Sequence, residues 1–272
     1  MPSLPDTSAI RLDLQGPVLH LWLNLPEARN PLTIEVQREI LATFGAIAED
    51  RTVRVVVIRG AGGTFSAGGN LKAFASAAAL RPEDGADDPL RAENRHFGAM
   101  MQTINEAPQA IVCVVEGHAL GGGFGLACVG DVTIVRDDAQ FGLSEVMLGL
   151  VPASISPFVV QRIGLTAARR FGVSGARLSG REAVAVGIAH ESAASAEDLE
   201  RAVAQAIAQI LRCAPGAVAE TKRLLFRAAG PTPMDELLDR AAESFCAAVR
   251  SDEGREGIAA FLDRRPPNWK PA

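Results

Sequence analysis

Tyrosine is missing from this 272-residue chain, so one common proton donor is unavailable to whatever chemistry it performs. Cysteine is scarce. Cys113, Cys128, Cys213 and Cys246 all lie in apolar surroundings and form no CxxC pair, which points to neither a zinc centre nor a disulfide framework and leaves packing as their expected role. No run approaches the roughly 18 uncharged apolar residues of a spanning helix. The opening Met1-Pro2-Ser3-Leu4-Pro5-Asp6 carries no basic stretch leading into an apolar one, so a soluble cytosolic protein without a membrane partner is expected. Positive charge is not in excess either: 27 Lys and Arg against 32 Asp and Glu leave a net charge of −5, which argues against a nucleic-acid partner.

Several nucleotide and hydrolase motifs are absent too. There is no Gly-Lys dipeptide and hence no phosphate-binding loop, and GxGxxG fails after Gly121-Gly122-Gly123, where the sixth position is Leu126. GxSxG is missing. His20, His96, His118 and His190 show no metal-ligand spacing, so no metal is expected.

What remains is ample for a core: 48% of residues are hydrophobic and 22% charged, at a length that fits one large domain or a main domain with an appendage. Pro17 to Asn24 reads as a buried strand, Thr33 to Asp50 as a helix with Thr33 as N-cap, and Val53 to Ile58 as a second strand. Gly60 to Leu71 is glycine-dense, and Ser76 to Pro89 lacks a period and reads as a mobile loop or partly helical lid. A helix from about Leu90 to Asn105 leads to strands at Ile111 to Val115 and Val132 to Val135. This alternation predicts stacked right-handed crossover units with largely parallel pairing. From Ser156 the periodicity is almost entirely helical, with helices opening near Ser195, Pro215 and Pro233 and a last one from Glu253 to Leu262. The chain thus divides into an α/β core over 1–199 and a helical region over 200–272.

Two glycine-rich turns follow buried strands: Phe65-Ser66-Ala67-Gly68-Gly69-Asn70-Leu71 and Gly117-His118-Ala119-Leu120-Gly121-Gly122-Gly123. Small residues leave backbone N–H groups uncovered, and a helix opening in the second turn adds a positive dipole end. Either turn alone reads as a tight turn. Together they can converge on one oxygen as an oxyanion hole, worth about 2.7–4 kcal/mol per donor. About twenty residues on, Glu145 is a lone charge in an apolar run. Burial there would raise its pKa towards a range useful for acid–base work; pairing with Arg136 or Arg162 is the competing, purely structural role.

These turns, the Glu145 segment and the ending Arg255-Glu256-Gly257-Ile258-Ala259-Ala260-Phe261-Leu262-Asp263-Arg264-Arg265 resemble the crotonase (enoyl-CoA hydratase/isomerase) superfamily in order and spacing, from about Leu12 to Trp269. The resemblance implies a spiral of ββα units with a helical C-terminal region that forms a trimer, or a hexamer as a dimer of trimers. It implies an acyl-CoA thioester substrate with no separate cofactor, its enolate held by the N–H groups of Ala67 and Gly122. Ala28 and Arg29 match the lining of the coenzyme A site, and Phe261 and Arg264 a pair that reaches its nucleotide across a subunit interface. Ser66, Gly68, Asn70, Leu71, Gly121 and Gly125 complete the implied substrate-contacting set.

The familiar hydratases of this superfamily hold water with two glutamates. Glu145 matches one, whereas Gly125 stands at the other position and Asn70 replaces the usual Asp of the first turn. The segments around Phe124-Gly125-Leu126, Leu143-Ser144-Glu145-Val146 and Val151-Pro152-Ala153-Ser154-Ile155-Ser156-Pro157-Phe158-Val159-Val160 are similar to bacterial glutaconyl-CoA hydratases, of the methylglutaconyl or isohexenylglutaconyl type. The expected activity is hydration of a branched 2-enoyl-CoA. Isomerisation of a 3-enoyl-CoA by the single glutamate, and acyl-CoA binding or assembly without catalysis, are the alternatives.

Overall fold

A computed structural model describes residues 2–79 and 88–270. Its first hairpin joins β1 (Ile10–Gln15), where apolar and polar residues alternate, to β2 (Val18–Leu23), through a turn in which Gly16 takes φ +56°. Next comes α1 (Ile34–Ile47), whose N-cap Thr33 accepts the Val36 N–H as expected. Then follow β3 (Val55–Gly60), α2 (Leu71–Ala78) and α3 (Pro89–Glu106), the last capped by Asp88. Of the expected loop or lid, Ser76 to Ala78 belong to α2 and Asp88 to the cap of α3, while 80–87 lie outside the described residues.

Two ββα units carry the centre of the chain. β4 (Ala110–Val115), β5 (His118–Leu120) and α4 (Gly122–Cys128) form one; β6 (Val132–Arg136), β7 (Gln140–Gly142) and α5 (Ser156–Ser174) form the other. Beyond them lie β8 (Arg177–Ser179), α6 (Gly180–Ala185), β9 (Glu191–Ala193), α7 (Ala196–Ile210), α8 (Pro215–Ala228), α9 (Met234–Arg250) and α10 (Asp252–Leu262). The expectation of an almost wholly helical chain after Ser156 is corrected by β8 and β9. Each has three residues, too few to display a period, and is held by pairing with β7 and β6.

The main sheet runs β1-β2-β3-β4-β6-β9, parallel from β2 onward; the smaller one runs β5-β7-β8. Being parallel, the main sheet is covered on both faces. Val56 and Ile58 join the core shared with α1, α3 and α4, while Val55, Val57, Val112, Val114 and Ile134 pack against Leu199, Ala202 and Val203 of α7. The division expected near residue 200 therefore falls within α7. No single helix among the described residues is long and apolar enough to cross a membrane.

The short strands matter for placement. Each unit sends one strand into the main sheet and the next into the small one. The first glycine turn joins the small sheet through a parallel bridge between Ser66 and Ala119, with Ser66 N–H donating to His118 O at 2.8 Å and Leu120 N–H to Ser66 O at 3.0 Å. Two turns about fifty residues apart in sequence are thereby locked side by side.

Candidate active site

The closeness of the turns is visible at Gly68, which takes φ +93°. A Cβ there would lie 2.7 Å from the Leu120 carbonyl oxygen and 3.4 Å from the Gly122 nitrogen. Only glycine combines that dihedral with that approach.

Within the first turn the N–H groups have different fates. Ala67, expected as the donor, is already committed: its N–H bonds the Arg29 carbonyl at 2.9 Å. Gly68 N–H bonds Ser66 Oγ at 3.1 Å. The Gly69 N–H has no partner among the described residues. The turn's open donor is therefore Gly69 rather than Ala67, because the chain at Arg29 has claimed the earlier amide.

That claim depends on Asn30, which sequence reasoning passed over. Arg29 and Asn30 both adopt left-handed backbone, with φ of 62° and 53°, a conformation asparagine tolerates better than most residues. The Asn30 side chain, 1% exposed, accepts from Leu25 N–H at 2.9 Å and donates to the carbonyls of Ala61 at 2.8 Å and Thr64 at 2.6 Å. Its own carbonyl receives Ser66 Oγ–H at 2.7 Å. One buried amide thus ties the loop before α1 to the first turn. Ala28 and Arg29 are exposed on the outer side of this knot; Asn70 caps α2 by accepting from Ala73 N–H, and Leu71 is exposed.

In the second turn, Gly121 (φ +51°) donates its N–H to Gly142 O at 2.9 Å. The first intrahelical bond of α4 comes only at Gly125, to Gly121 O, leaving the Gly122 N–H open among the described residues. Phe97 and Leu32 wall this amide: a Cβ on Gly122 would lie 3.2 Å from Phe97 Cζ and 3.3 Å from Leu32 Cδ1.

Glu145 opens a short 3₁₀ turn, Glu145–Leu148, directly after β7. A Cβ on Gly121 would meet Glu145 Oε1 at 2.9 Å, so the carboxyl lies against the second turn and the absent side chain at Gly121 makes room for it. Glu145 Oε2 is buried with no hydrogen-bond partner among the described residues. Burial pushes the Glu145 pKa up from its ordinary value, a hydrogen bond from its own backbone N–H opposing the shift only in part. The competing arginine partners are engaged elsewhere: Arg136 pairs with Asp138, and Arg162 donates to the carbonyls of Gly130 and Ile188 and to Thr133 Oγ1.

At Gly125, the position at which the resemblance implies a second carboxylate, the neighbouring space is filled with hydrocarbon. A Cβ there would come within 2.3 Å of Ile155 Cγ2 and 3.4 Å of Met101 Cε. Phe261 and Arg264 are exposed at the end of α10, which packs on α9, so among the described residues neither is buried with the two turns.

Set against known proteins, residues 13–272 match the profile of the enoyl-CoA hydratase/isomerase family. An enoyl-CoA hydratase/isomerase from Marinobacter aquaeolei is 45% identical, with a TM-score of 0.93 over 97% of this chain and 99% of the other. AtuE of Pseudomonas aeruginosa is 45% identical, with a TM-score of 0.92 over 97% and 100%. A candidate enoyl-CoA hydratase of Thermus thermophilus is 33% identical over 94% of this chain and 98% of that protein.

Proposed function

Since the chain belongs to the enoyl-CoA hydratase/isomerase family, the crotonase superfamily, we propose that it adds water across the α,β double bond of a branched 2-enoyl-CoA, with a 3-substituted glutaconyl-CoA as the narrower candidate. The observation that carries this reading is the placement of Glu145. A half-buried carboxyl, one oxygen of which has no hydrogen-bond partner among the described residues, lies against one of two adjoining turns that each offer an open N–H.

In the proposed reaction the thioester oxygen accepts from Gly69 and Gly122, which stabilises the negative charge that develops there as water attacks the β-carbon. Glu145, as the carboxylate, takes the proton released by that water and delivers one to the α-carbon, so the acid ends as it began. A raised pKa suits both halves of the cycle, since the group must accept and donate near neutral pH. The acyl class rests on the resemblance of the segments around Gly125, Glu145 and Ile155. Assembly as a trimer or dimer of trimers through the C-terminal helices is part of the same proposal, supported by the exposed Leu238, Phe245, Ile258, Phe261 and Leu262 on α9 and α10.

One observation favours a second reading. With Ile155 and Met101 sealing the space at Gly125, there is a single acid, which is sufficient to move a proton between the α- and γ-carbons of a 3-enoyl-CoA. The absorbance of the conjugated thioester separates the two: it falls when a branched 2-enoyl-CoA is hydrated and rises when a 3-enoyl-CoA is isomerised. Glu145→Gln should cut kcat by roughly 10²–10⁴ with acyl-CoA affinity retained. Unchanged turnover in that variant removes Glu145 from the mechanism, and a wild-type protein that binds but converts neither substrate identifies an acyl-CoA-binding protein.

A further inference from the structure

Behind the Gly69 amide runs a line of hydrogen bonds that ends on it. Leu32 N–H donates to Gly68 O at 2.9 Å, and Thr33 N–H donates to Pro31 O at 2.9 Å. Gln37 Nε2 donates to Leu32 O at 3.0 Å, and Gln37 Oε1 lies 3.0 Å from His96 Nδ1. Each link passes through one planar amide. The Gln37 side chain bonds the carbonyl of peptide 32–33; the N–H of that peptide bonds the carbonyl of 31–32; the N–H of 31–32 bonds the carbonyl of 68–69. The free end of peptide 68–69 is the Gly69 N–H.

The direction of the line is fixed by its middle. Leu32 O can only accept, so the Gln37 amide nitrogen must face it and Oε1 must face His96. His96 Nδ1 therefore carries the hydrogen. The four amides are then linked donor to acceptor in one sense, and hydrogen-bonded amides in series polarise one another. Gln37 is 3% exposed and Leu32 is 4% exposed, so little water competes. A glutamine buried on α1 with both ends bonded in this way does more than a methionine of the same shape would.

We infer that Gln37, oriented by His96, is a positioning residue that strengthens and aims the Gly69 N–H at the thioester oxygen through peptides 32–33, 31–32 and 68–69. The inference rests on the reading of Gly69 and Gly122 as the oxygen's donors.

The test uses the full-length protein and cinnamoyl-CoA, a conjugated thioester whose absorption moves to the red as its carbonyl is polarised. Gln37→Met keeps the volume and removes both hydrogen bonds; His96→Phe removes only the first donor. At roughly 10–30% per bond, applied to a donor of the usual oxyanion-hole strength, Gln37→Met should lower kcat about two- to eightfold. KM should be nearly unchanged, because polarisation matters most where charge develops. The red shift of bound cinnamoyl-CoA should shrink in Gln37→Met, and less in His96→Phe. A folded Gln37→Met protein with the wild-type red shift and kcat, whatever its melting temperature, overturns the inference. Should that variant fail to fold, an unaltered shift in His96→Phe does the same. If the wild type binds cinnamoyl-CoA with no red shift at all, the two-donor reading falls and this inference with it.

Discussion

Gly68→Ala perturbs the contact between the two turns and little else. Alanine at φ +93° would place its Cβ 2.7 Å from the Leu120 carbonyl oxygen, a backbone atom held by the pairing of Ser66 with β5. The backbone conformation alone costs about 1–3 kcal/mol for a residue with a side chain, or a drop in melting temperature of a few to about ten degrees at this size. The collision adds a displacement of the peptide that carries the Gly69 N–H away from Gly122. If both donors hold one oxygen, losing one should lower kcat about 10²–10³-fold with little effect on KM. Gly16→Ala is the control: it imposes a similar strain, at φ +56°, in the β1–β2 turn with nothing within 4 Å of the new Cβ. It should lose stability and keep its activity. The measurements are thermal unfolding and turnover of a branched enoyl-CoA on the same preparations. Gly68→Ala with kcat within threefold of wild type would refute the shared-oxygen geometry.

The hydrocarbon seal predicts coupling between two positions: Gly125→Ala should cost about 1–3 kcal/mol by overpacking against Ile155. Gly125→Ala combined with Ile155→Gly should cost less than the sum of the two single changes in denaturant unfolding. Glu145 predicts a pH effect on stability. Its folded pKa is raised by burial, so the folded state binds more protons than the unfolded one, and stability falls as pH rises from the ordinary carboxylate pKa through the raised one. Glu145→Gln should therefore melt higher than wild type at neutral pH and level with it below about pH 4, as read by melting temperature against pH.

The long buried runs were legible because burial on both faces of a parallel sheet demands continuous β-branched sequence, as in Val53 to Ile58. The Thr33, Ser195 and Pro215 helix starts were legible because capping chemistry is local. β1 was missed although Ile10 to Gln15 alternates cleanly, a signal present in the sequence. β5, β7, β8 and β9 were not legible: a three-residue strand is defined by its partner. The site divides the same way. Small residues announce both turns and an apolar run marks Glu145, but which amide stays open is settled by Arg29 and Asn30, far away in the chain. That Gly125 lacks a carboxyl is plain from its identity. That the vacated space belongs to Ile155 is a fact of packing alone.

The bonds that hold the two turns in place span residues 29 to 67, 66 to 120 and 121 to 142. No short fragment can contain them, so a chain emerging from the ribosome has helices and a hairpin long before the two turns can meet. Closing such distant loops is slow relative to local coiling. Catalytic competence thus serves as a reporter of completed refolding: after denaturant dilution, turnover should return with the slowest phase, well behind the recovery of helical circular dichroism.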